Sequence, residues 1–472
     1  MNKSIYLSDV KRFLKDIGQG LPCSRRSLGL GFNKVQAGIC SLYRWYSIPL
    51  LVAQDNPNFK SKIFVGSVPL FTKKKKPIIE PIEQRYSINA SRRNRVYINV
   101  GSLPFFDNGS GIPRVAKELA NYGLVSRNCD VYPVYADPVT GIYKFAAWWA
   151  RDRGLCTQRF ESQRAYEADQ DAAIDLVPGD WLIHTMINPN EIEVETDQFA
   201  QMKASGVRLG FILHDLIPER HPEFFKNRDA KNFSRWLRLV RQYDAVFAVS
   251  RATLSDYQSW LEENGCTLGR KQVQEWFHLG SDFQAASSAQ DVDPKVLEAL
   301  RGKSYVLQVS TIEPRKGYAQ LLSAFEELWA NGSEESLVIV GRKGWKVASL
   351  CRRIRRHPEL GKRLFWFTGI NDATLKALYG HASVIMAASE AEGFGLSVVE
   401  GAAFGRPLLV RDIPSFREVA PKGTSFFSGT SPSDLARAII NVDRTKVPDS
   451  SEKPKTWKES AEALFSIISR IK

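Results

Sequence analysis

Short apolar runs rich in β-branched and aromatic residues alternate with longer amphipathic stretches, and this alternation occurs twice along the chain. The first series is Val96 to Val100, Asp130 to Tyr135, Trp181 to His184, Arg208 to Leu213 and Ala245 to Val249. Each run ends in a polar or glycine-containing turn, as buried strands of a parallel sheet do. The intervening segments are long enough for crossover helices. One is Pro113 to Leu124, where Val115, Leu119 and Tyr122 share a face. The second series is Tyr305 to Val309, Leu337 to Val340, Leu364 to Phe367, Val384 to Ala387 and Pro407 to Val410. Its helices show 3.6-residue spacing: Leu321, Phe325, Leu328 and Trp329 on one, Leu375, Leu378, Tyr379 and Ala382 on another. Asp372 is placed to cap the latter. Between the two series, Gln284 to Asp293 lacks apolar periodicity and reads as a linker.

The expected organisation is therefore an N-terminal extension (1–94), a first Rossmann-like α/β domain (95–283), a linker (284–302) and a second such domain (303–450). Residues 451–472 are expected to form a C-terminal helix. The length of 472 residues accommodates this division. Charged residues at 25% and hydrophobic residues at 43% exclude a largely disordered, collagen-like or coiled-coil chain. The six cysteines, at 23, 40, 129, 156, 266 and 351, form no CxxC pair, which argues against a zinc ribbon and for a reducing, cytoplasmic setting. The most apolar stretch, Val35 to Ala53, is interrupted by Arg44 and Pro49 and is not expected to span a membrane. Met1 to Gly20 has no apolar core of the signal-peptide kind.

Lysine plus arginine exceed aspartate plus glutamate by 65 − 51 = 14. The excess favours anionic partners without choosing among nucleic acid, phosphorylated small molecules and an acidic membrane surface. Part of it lies at Lys73 to Lys76 in the extension and in the cluster Arg92, Arg93 and Arg95 at its junction with the first domain. Another part is the basic helix face of Arg352, Arg353, Arg355 and Arg356, whose plain reading is a solvated surface.

In open α/β sheets ligands bind outside the carboxyl ends of the strands, so the loops after strands are the places to look for chemistry. After Val384 to Ala387 comes Glu392-Gly393-Phe394-Gly395-Leu396-Ser397-Val398-Val399-Glu400. A glycine turn at a helix start suits an anion, and two carboxylates can accept hydrogen bonds from hydroxyls on different parts of a nucleotide sugar. The structural alternative is a glycine turn with two solvated glutamates. After Tyr305 to Val309 comes Ser310-Thr311-Ile312-Glu313-Pro314-Arg315-Lys316-Gly317. Arg315 and Lys316 supply a planar fork and a point charge to a pyrophosphate. As a mere flank of a helix start, two cations would oppose the dipole. After Arg208 to Leu213 come His214 and Asp215, where an imidazole can meet a substrate. The remaining histidines, 184, 221, 278, 357 and 381, read as structural. After the first strand, Asp107-Asn108-Gly109-Ser110-Gly111-Ile112-Pro113-Arg114 offers a loop that can approach a ligand closely. The chain has no GxxxxGK[ST] phosphate loop and no HExxH, and its two DxD triplets, 169–171 and 291–293, do not end apolar strands. No metal site and no cofactor are expected.

Taken together, STIEPRKG (310–317), LVIVGRKGW (337–345), EGFGLSVVE (392–400) and HDLIPERHPEFF (214–225) resemble the bacterial family-four retaining glycosyltransferases, nearest to the O-antigen and capsule mannosyltransferases. The resemblance covers about residues 95 to 472. It implies a GT-B fold, with two Rossmann-like domains facing across a cleft and a C-terminal helix that crosses back to the first domain. It implies transfer of a sugar, with mannose from GDP-mannose as the first expectation, to a hydroxyl of a surface polysaccharide or lipid-linked glycan. It further implies residue roles. Glu392 would contact donor-sugar hydroxyls, and the backbone of Gly393, Phe394, Gly395 and Leu396 would line the sugar-phosphate. Glu400 would take the ribose hydroxyls. Arg315 and Lys316 would hold the diphosphate. From the first domain, His214 would lie near the reacting carbon, with Asp215 beside it and Gly109 and Gly111 in the acceptor-side loop. Many members carry Gly-Arg where this chain has Ser310-Thr311, which removes one basic contact to phosphate. Lipid-linked acceptors suggest peripheral association with the inner face of the plasma membrane through basic residues.

Other classes fit less well. A nicotinamide-dependent oxidoreductase needs a GxGxxG with an acid about 20 residues on, and neither sheet has both. A nucleic-acid or membrane binder leaves the paired glutamates around Gly-Phe-Gly unexplained. A sugar phosphorylase or nucleotide-sugar epimerase shares the fold and remains a biochemical alternative.

Overall fold

The apolar runs fold as two separate sheets in a computed structural model. It describes residues 95–471 apart from 106, 108, 110, 138–140, 153–171, 187–191, 266–271, 284–290 and 450–453. The basic run at Lys73 to Lys76, Arg92, Arg93, the first DxD triplet and the cysteines at 23, 40, 156 and 266 lie outside the described residues.

The first sheet contains β1 (Arg95–Asn99), β2 (Asp130–Ala136), β3 (Tyr143–Phe145), β4 (Trp181–His184), β5 (Arg208–Leu213), β6 (Ala245–Ala248) and β7 (Val273–Trp276), in the order β3-β2-β1-β4-β5-β6-β7. The second contains β8 (Tyr305–Val309), β9 (Ser336–Val340), β10 (Leu364–Phe367), β11 (Val384–Ala387), β12 (Leu408–Arg411) and β13 (Ser425–Phe427), in the order β10-β9-β8-β11-β12-β13. All pairings are parallel except β2 with β3, where Val134 faces Phe145 in an antiparallel edge pair. The order reverses between β1 and β4 in the first sheet and between β8 and β11 in the second. At such a reversal the flanking loops part and leave a crevice.

The helices bury the faces that their spacing assigns. On Tyr318–Ala330, Leu321, Phe325, Leu328 and Trp329 are all buried, each contributing roughly 1.5–3 kcal/mol by leaving water. Two details differ from the sequence reading. The cap of Asp372–His381 is Asn371, whose side chain accepts from the Thr374 N–H; Asp372 is the first helical residue. Part of the segment 284–302 is also ordered against the second sheet: Asp293 caps Pro294–Ala299, and Val296 and Leu300 join its core.

The C-terminal helix Trp457–Arg470 starts with a capping box made by Thr456 and Glu459. Trp457, Ala461, Leu464, Phe465 and Ile468 form one buried stripe in the hydrophobic core of the first domain. A β-carbon on Gly123 would meet Val131 Cγ1 at 2.7 Å and Phe465 at 2.9 Å, so glycine there lets the helix Gly111–Gly123 pack against both without either side chain shifting. Arg208 donates to the Ile471 carbonyl at 2.9 Å. The chain thus returns to the first domain after building the second. Among the described residues, no helix is long and apolar enough to cross a membrane.

Candidate active site

The loops after β8 and β11, on either side of the reversal in the second sheet, are stitched together by backbone and side-chain bonds. The Gln308 amide donates to the Lys316 carbonyl at 2.9 Å and accepts from the Ala388 N–H at 3.2 Å. The Glu390 N–H donates to the Arg315 carbonyl at 2.7 Å. Gly317 adopts φ +70, and a β-carbon there would lie 2.2 Å from the Ala388 carbonyl oxygen, so only glycine lets the loops approach this closely.

This stitching brings Arg315, Lys316 and Glu392 together. Arg315 donates to Glu392 Oε2 at 2.8 Å, to Glu313 Oε2 at 3.1 Å and to the Ala391 carbonyl at 3.0 Å. Lys316 Nζ pairs with Glu392 Oε1. Burial alone would raise the Glu392 pKa, but Lys316 and Arg315 hold it down to about 2. Burial works against the Arg315 charge too, yet Glu392, Glu313 and Asp215 raise its pKa above the ordinary value. For Lys316, burial and the Arg315 charge outweigh the pull of Glu392 and Glu313, and its pKa falls below the ordinary value. Burial pushes Glu313 up. The result is a desolvated cluster of two cations and two carboxylates, in which the Lys316 ammonium gives up its proton more readily than an exposed lysine would.

The first domain covers this cluster. His214 and Asp215 follow β5, and a β-carbon on Gly393 would fall 1.7 Å from the His214 carbonyl oxygen and 3.0 Å from Asp215 Cβ. The two domains therefore meet backbone to backbone here. The Gly393 carbonyl accepts from Ser250 Oγ at 2.6 Å and Thr253 Oγ1 at 2.9 Å. Ser250 is also the N-cap of the helix Arg251–Glu263. The His214 ring donates from Nε2 to the Thr185 carbonyl at 2.7 Å, and burial lowers its pKa. A neutral imidazole so anchored keeps Nδ1 as an acceptor. Phe394 is buried in the first domain's core and packs 5.6 Å from the His278 ring. Its side chain is thus an anchor between domains.

Further contacts join the domains. Arg114, on the helix Gly111–Gly123, pairs with Glu400 on Leu396–Ala402. Glu418 accepts from the Arg251 and Ala252 N–H groups at 2.7 and 2.8 Å and from His278 at 2.7 Å. At the rim, Trp345 donates to the Phe224 carbonyl at 3.0 Å and stacks on Phe225.

Of the residues expected from the sequence, His214, Asp215, Arg315, Lys316, Glu392 and Gly393 converge. Leu396 and Glu400 begin and sit within the helix that Gly395 (φ +106) opens. A β-carbon on Gly109 or Gly111 would meet open space, Gly111 is the first residue of the helix Gly111–Gly123, and among the described residues no contact brings either onto the cluster. Ser310 is held by Tyr318, whose hydroxyl donates to its carbonyl at 2.9 Å. The other histidines have structural partners. His184 is enclosed by Tyr143 and Tyr243 and pushed down to about 3 by burial. His357 meets Glu326. In the basic face, Arg353 pairs with Glu326 and Arg355 lies over Trp366. Arg95 pairs with Asp180 at 2.7 Å. Among the described residues, no group of three or more His, Cys, Asp or Glu side chains converges as a metal site would require. The sequence reading quoted Glu313 within the strand-end loop without giving it a role, and it missed Ser250, Thr253 and Glu418. Of these three only Ser250, a polar residue just past a strand and three before Thr253, carried a local signal, that of a helix cap.

Residues 290–463 match the family model described as glycosyl transferases group 1. The chain is 33% identical over 384 residues to the serotype-specific mannosyltransferase WbdA of Escherichia coli, covering 79% of this chain and 46% of that protein. It is 29% identical over 143 residues to the O-antigen chain mannosyltransferase B of Escherichia coli, covering 29% of this chain and 36% of that protein. The chain spans about half the length of the WbdA relatives it matches. Sucrose-phosphate synthase from Thermosynechococcus elongatus superposes with a TM-score of 0.52 at 17% identity, covering 80% of this chain and 96% of that one. The fold is GT-B: two parallel-sheet α/β domains facing each other across a cleft.

Proposed function

Residues 290–463 are a glycosyl transferases group 1 domain, and from that premise we propose that the chain is a retaining glycosyltransferase that transfers mannose from GDP-mannose to a hydroxyl of a growing surface glycan. The observation that carries this reading is the Arg315–Lys316–Glu392 cluster at the strand-order reversal of the second sheet, roofed by His214 and Asp215. The names of the WbdA and O-antigen relatives favour mannose as the sugar and an O-antigen-like glycan as the product.

In this reading the donor diphosphate lies against Arg315 and Lys316. As the sugar bond breaks, negative charge grows on the leaving oxygens. Preorganised donors in a water-poor site meet that charge without reorganising, and such electrostatic stabilisation commonly contributes more to catalysis than any other single effect. Lys316 keeps two N–H donors beyond the one that Glu392 takes. Glu392, kept ionised by its two cations, accepts from the donor-sugar hydroxyls, and Glu400 from the ribose. His214, neutral, orients the sugar through its fixed ring. The incoming hydroxyl attacks from the face that the diphosphate leaves, with its proton passing to the leaving phosphate; no covalent nucleophile is assigned. The acceptor enters beside the Gly109–Gly111 loop. A lipid-linked acceptor would bring the enzyme to the inner face of the plasma membrane, held there by basic residues at about 1 kcal/mol per cation near an anionic leaflet.

The test is a donor panel read by released nucleoside diphosphate, GDP-mannose first, with the anomeric configuration of the product set by NMR. Acceptor-dependent GDP release with retained configuration supports the reading. Formation of a sugar 1-phosphate from glycan and inorganic phosphate would assign a phosphorylase instead.

A further inference from the structure

The donor domain does not hold Glu400 alone. Arg114 belongs to the first domain, yet its guanidinium reaches the carboxylate of Glu400 across the cleft. The Arg114 side chain is 30% exposed and that of Glu400 9%. Arg114 Cζ also lies 5.8 Å from the ring of Trp457, at the start of the C-terminal helix that has returned to the first domain. Arg114 is therefore braced from behind by its own domain and pointed at the other. It engages Oε1 only; among the described residues no donor reaches Oε2 of Glu400.

Resting on the reading of Glu400 as the ribose ligand, we infer that Arg114 is a positioning residue of the donor site: it holds Oε1 of Glu400 from across the cleft and leaves Oε2 for a ribose hydroxyl. A carboxylate held at one oxygen by a braced cation has a fixed plane, and a fixed plane favours one hydroxyl geometry. The pair also ties nucleotide recognition to closure, because a first domain that swings away takes Arg114 with it.

The charge environment agrees. Burial raises the Glu400 pKa, Arg114 opposes that rise, and Asp372 adds to it. Tyr379, on the same helix as Asp372, is the other titratable group nearby, and burial keeps it neutral far above the working range. Arg114 is thus the cation that keeps this buried carboxyl a good acceptor. Without it, Glu400 protonates at a higher pH and becomes a weaker acceptor.

The experiment measures binding of whichever of GDP and UDP the wild type holds more tightly, and of its 2′-deoxy counterpart, by isothermal titration calorimetry. The proteins are the wild type, Arg114→Gln, Arg114→Lys and Glu400→Gln, each checked for fold by circular dichroism. The wild type should prefer the ribonucleotide by about 10-fold, the size of one charge-assisted hydrogen bond. Arg114→Gln should lose most of that preference while binding the deoxynucleotide nearly as the wild type does. Arg114→Lys should restore it in part. In Arg114→Gln the preference should return as pH rises and Glu400 ionises, whereas the wild type should stay flat over the same range. Loss of preference in Glu400→Gln with full preference in Arg114→Gln would overturn the role of Arg114. Full preference in Glu400→Gln would overturn the ribose assignment, and the inference with it.

Discussion

Gly393 and His214 touch through backbone alone: a β-carbon on Gly393 would stand 1.7 Å from the His214 carbonyl oxygen. This contact sets how closely the loop after β11 approaches the first domain. Gly393→Ala cannot keep it, since no real contact of that length exists and the obstacle is rigid backbone. The Gly393 carbonyl would pull away from Ser250 and Thr253 as well. We expect Gly393→Ala to hold the cleft open, seen as a larger radius of gyration by small-angle scattering, with turnover reduced by about 10²-fold as groups from the two domains lose register. An unchanged radius with normal turnover would show that the contact is dispensable.

Glu392 gives a signature in acid. Its folded pKa, about 2, lies below the ordinary 4.5 because Lys316 and Arg315 overcome the effect of burial. A carboxyl depressed in this direction contributes stability that is complete above pH 4.5 and is lost as pH falls through about 2. The stability difference between wild type and Glu392→Gln, followed by urea unfolding, should be steady at neutral pH and shrink across that window. A difference independent of pH down to 2 would mean that Glu392 is not ion-paired in solution.

Glu418 bridges the domains by capping a helix that is not its own. Its carboxylate takes the Arg251 and Ala252 N–H groups and the His278 ring. Burial raises its pKa, but those donors win and lower it. Glu418→Ala should cost about 1–2 kcal/mol, the range of a lost helix cap with a favourable dipole interaction. Thermal melts should show the loss, and Glu418→Gln should recover part of it because the amide oxygen still accepts. No change in melting temperature would place the contact outside the stable core.

Activity should survive excess EDTA. In the proposed site Arg315 and Lys316 would supply the positive charge that a divalent ion otherwise brings to a diphosphate. Loss of turnover with EDTA, restored by magnesium or manganese, would contradict this.

The strand–loop–helix rhythm was legible because buried parallel strands carry continuous apolar runs. The loops after β5, β8 and β11 could be picked out because function concentrates at strand ends. Strands β3 and β13, at three residues each, are too short to show a period. β7 reads Val-Gln-Glu-Trp at a sheet edge, where one side faces water and polar residues break the run. Asn371 and Asp372 are both good caps, and spacing alone cannot choose between them. The contacts of Arg114, Ser250 and Glu418 with the opposite domain could not be read at all. They are set by how two domains dock, which is encoded in surfaces and not in any local period.

Lys316 tests the central claim most directly. Its ammonium is buried against Glu392 beside Arg315, so Lys316→Ala removes one of two cations from the proposed diphosphate site. An interaction that strengthens as leaving-group charge grows lowers the barrier more than it tightens binding. The measurement is kcat for GDP release from GDP-mannose by Lys316→Ala, with donor Kd and melting temperature on the same preparation. We predict a fall in kcat of about 10²–10³-fold, as when one oxyanion donor is lost, a smaller loss of affinity because Arg315 remains, and partial rescue by Lys316→Arg. A folded Lys316→Ala protein with near-wild-type kcat would remove the cluster from the reaction and contradict the proposed mechanism.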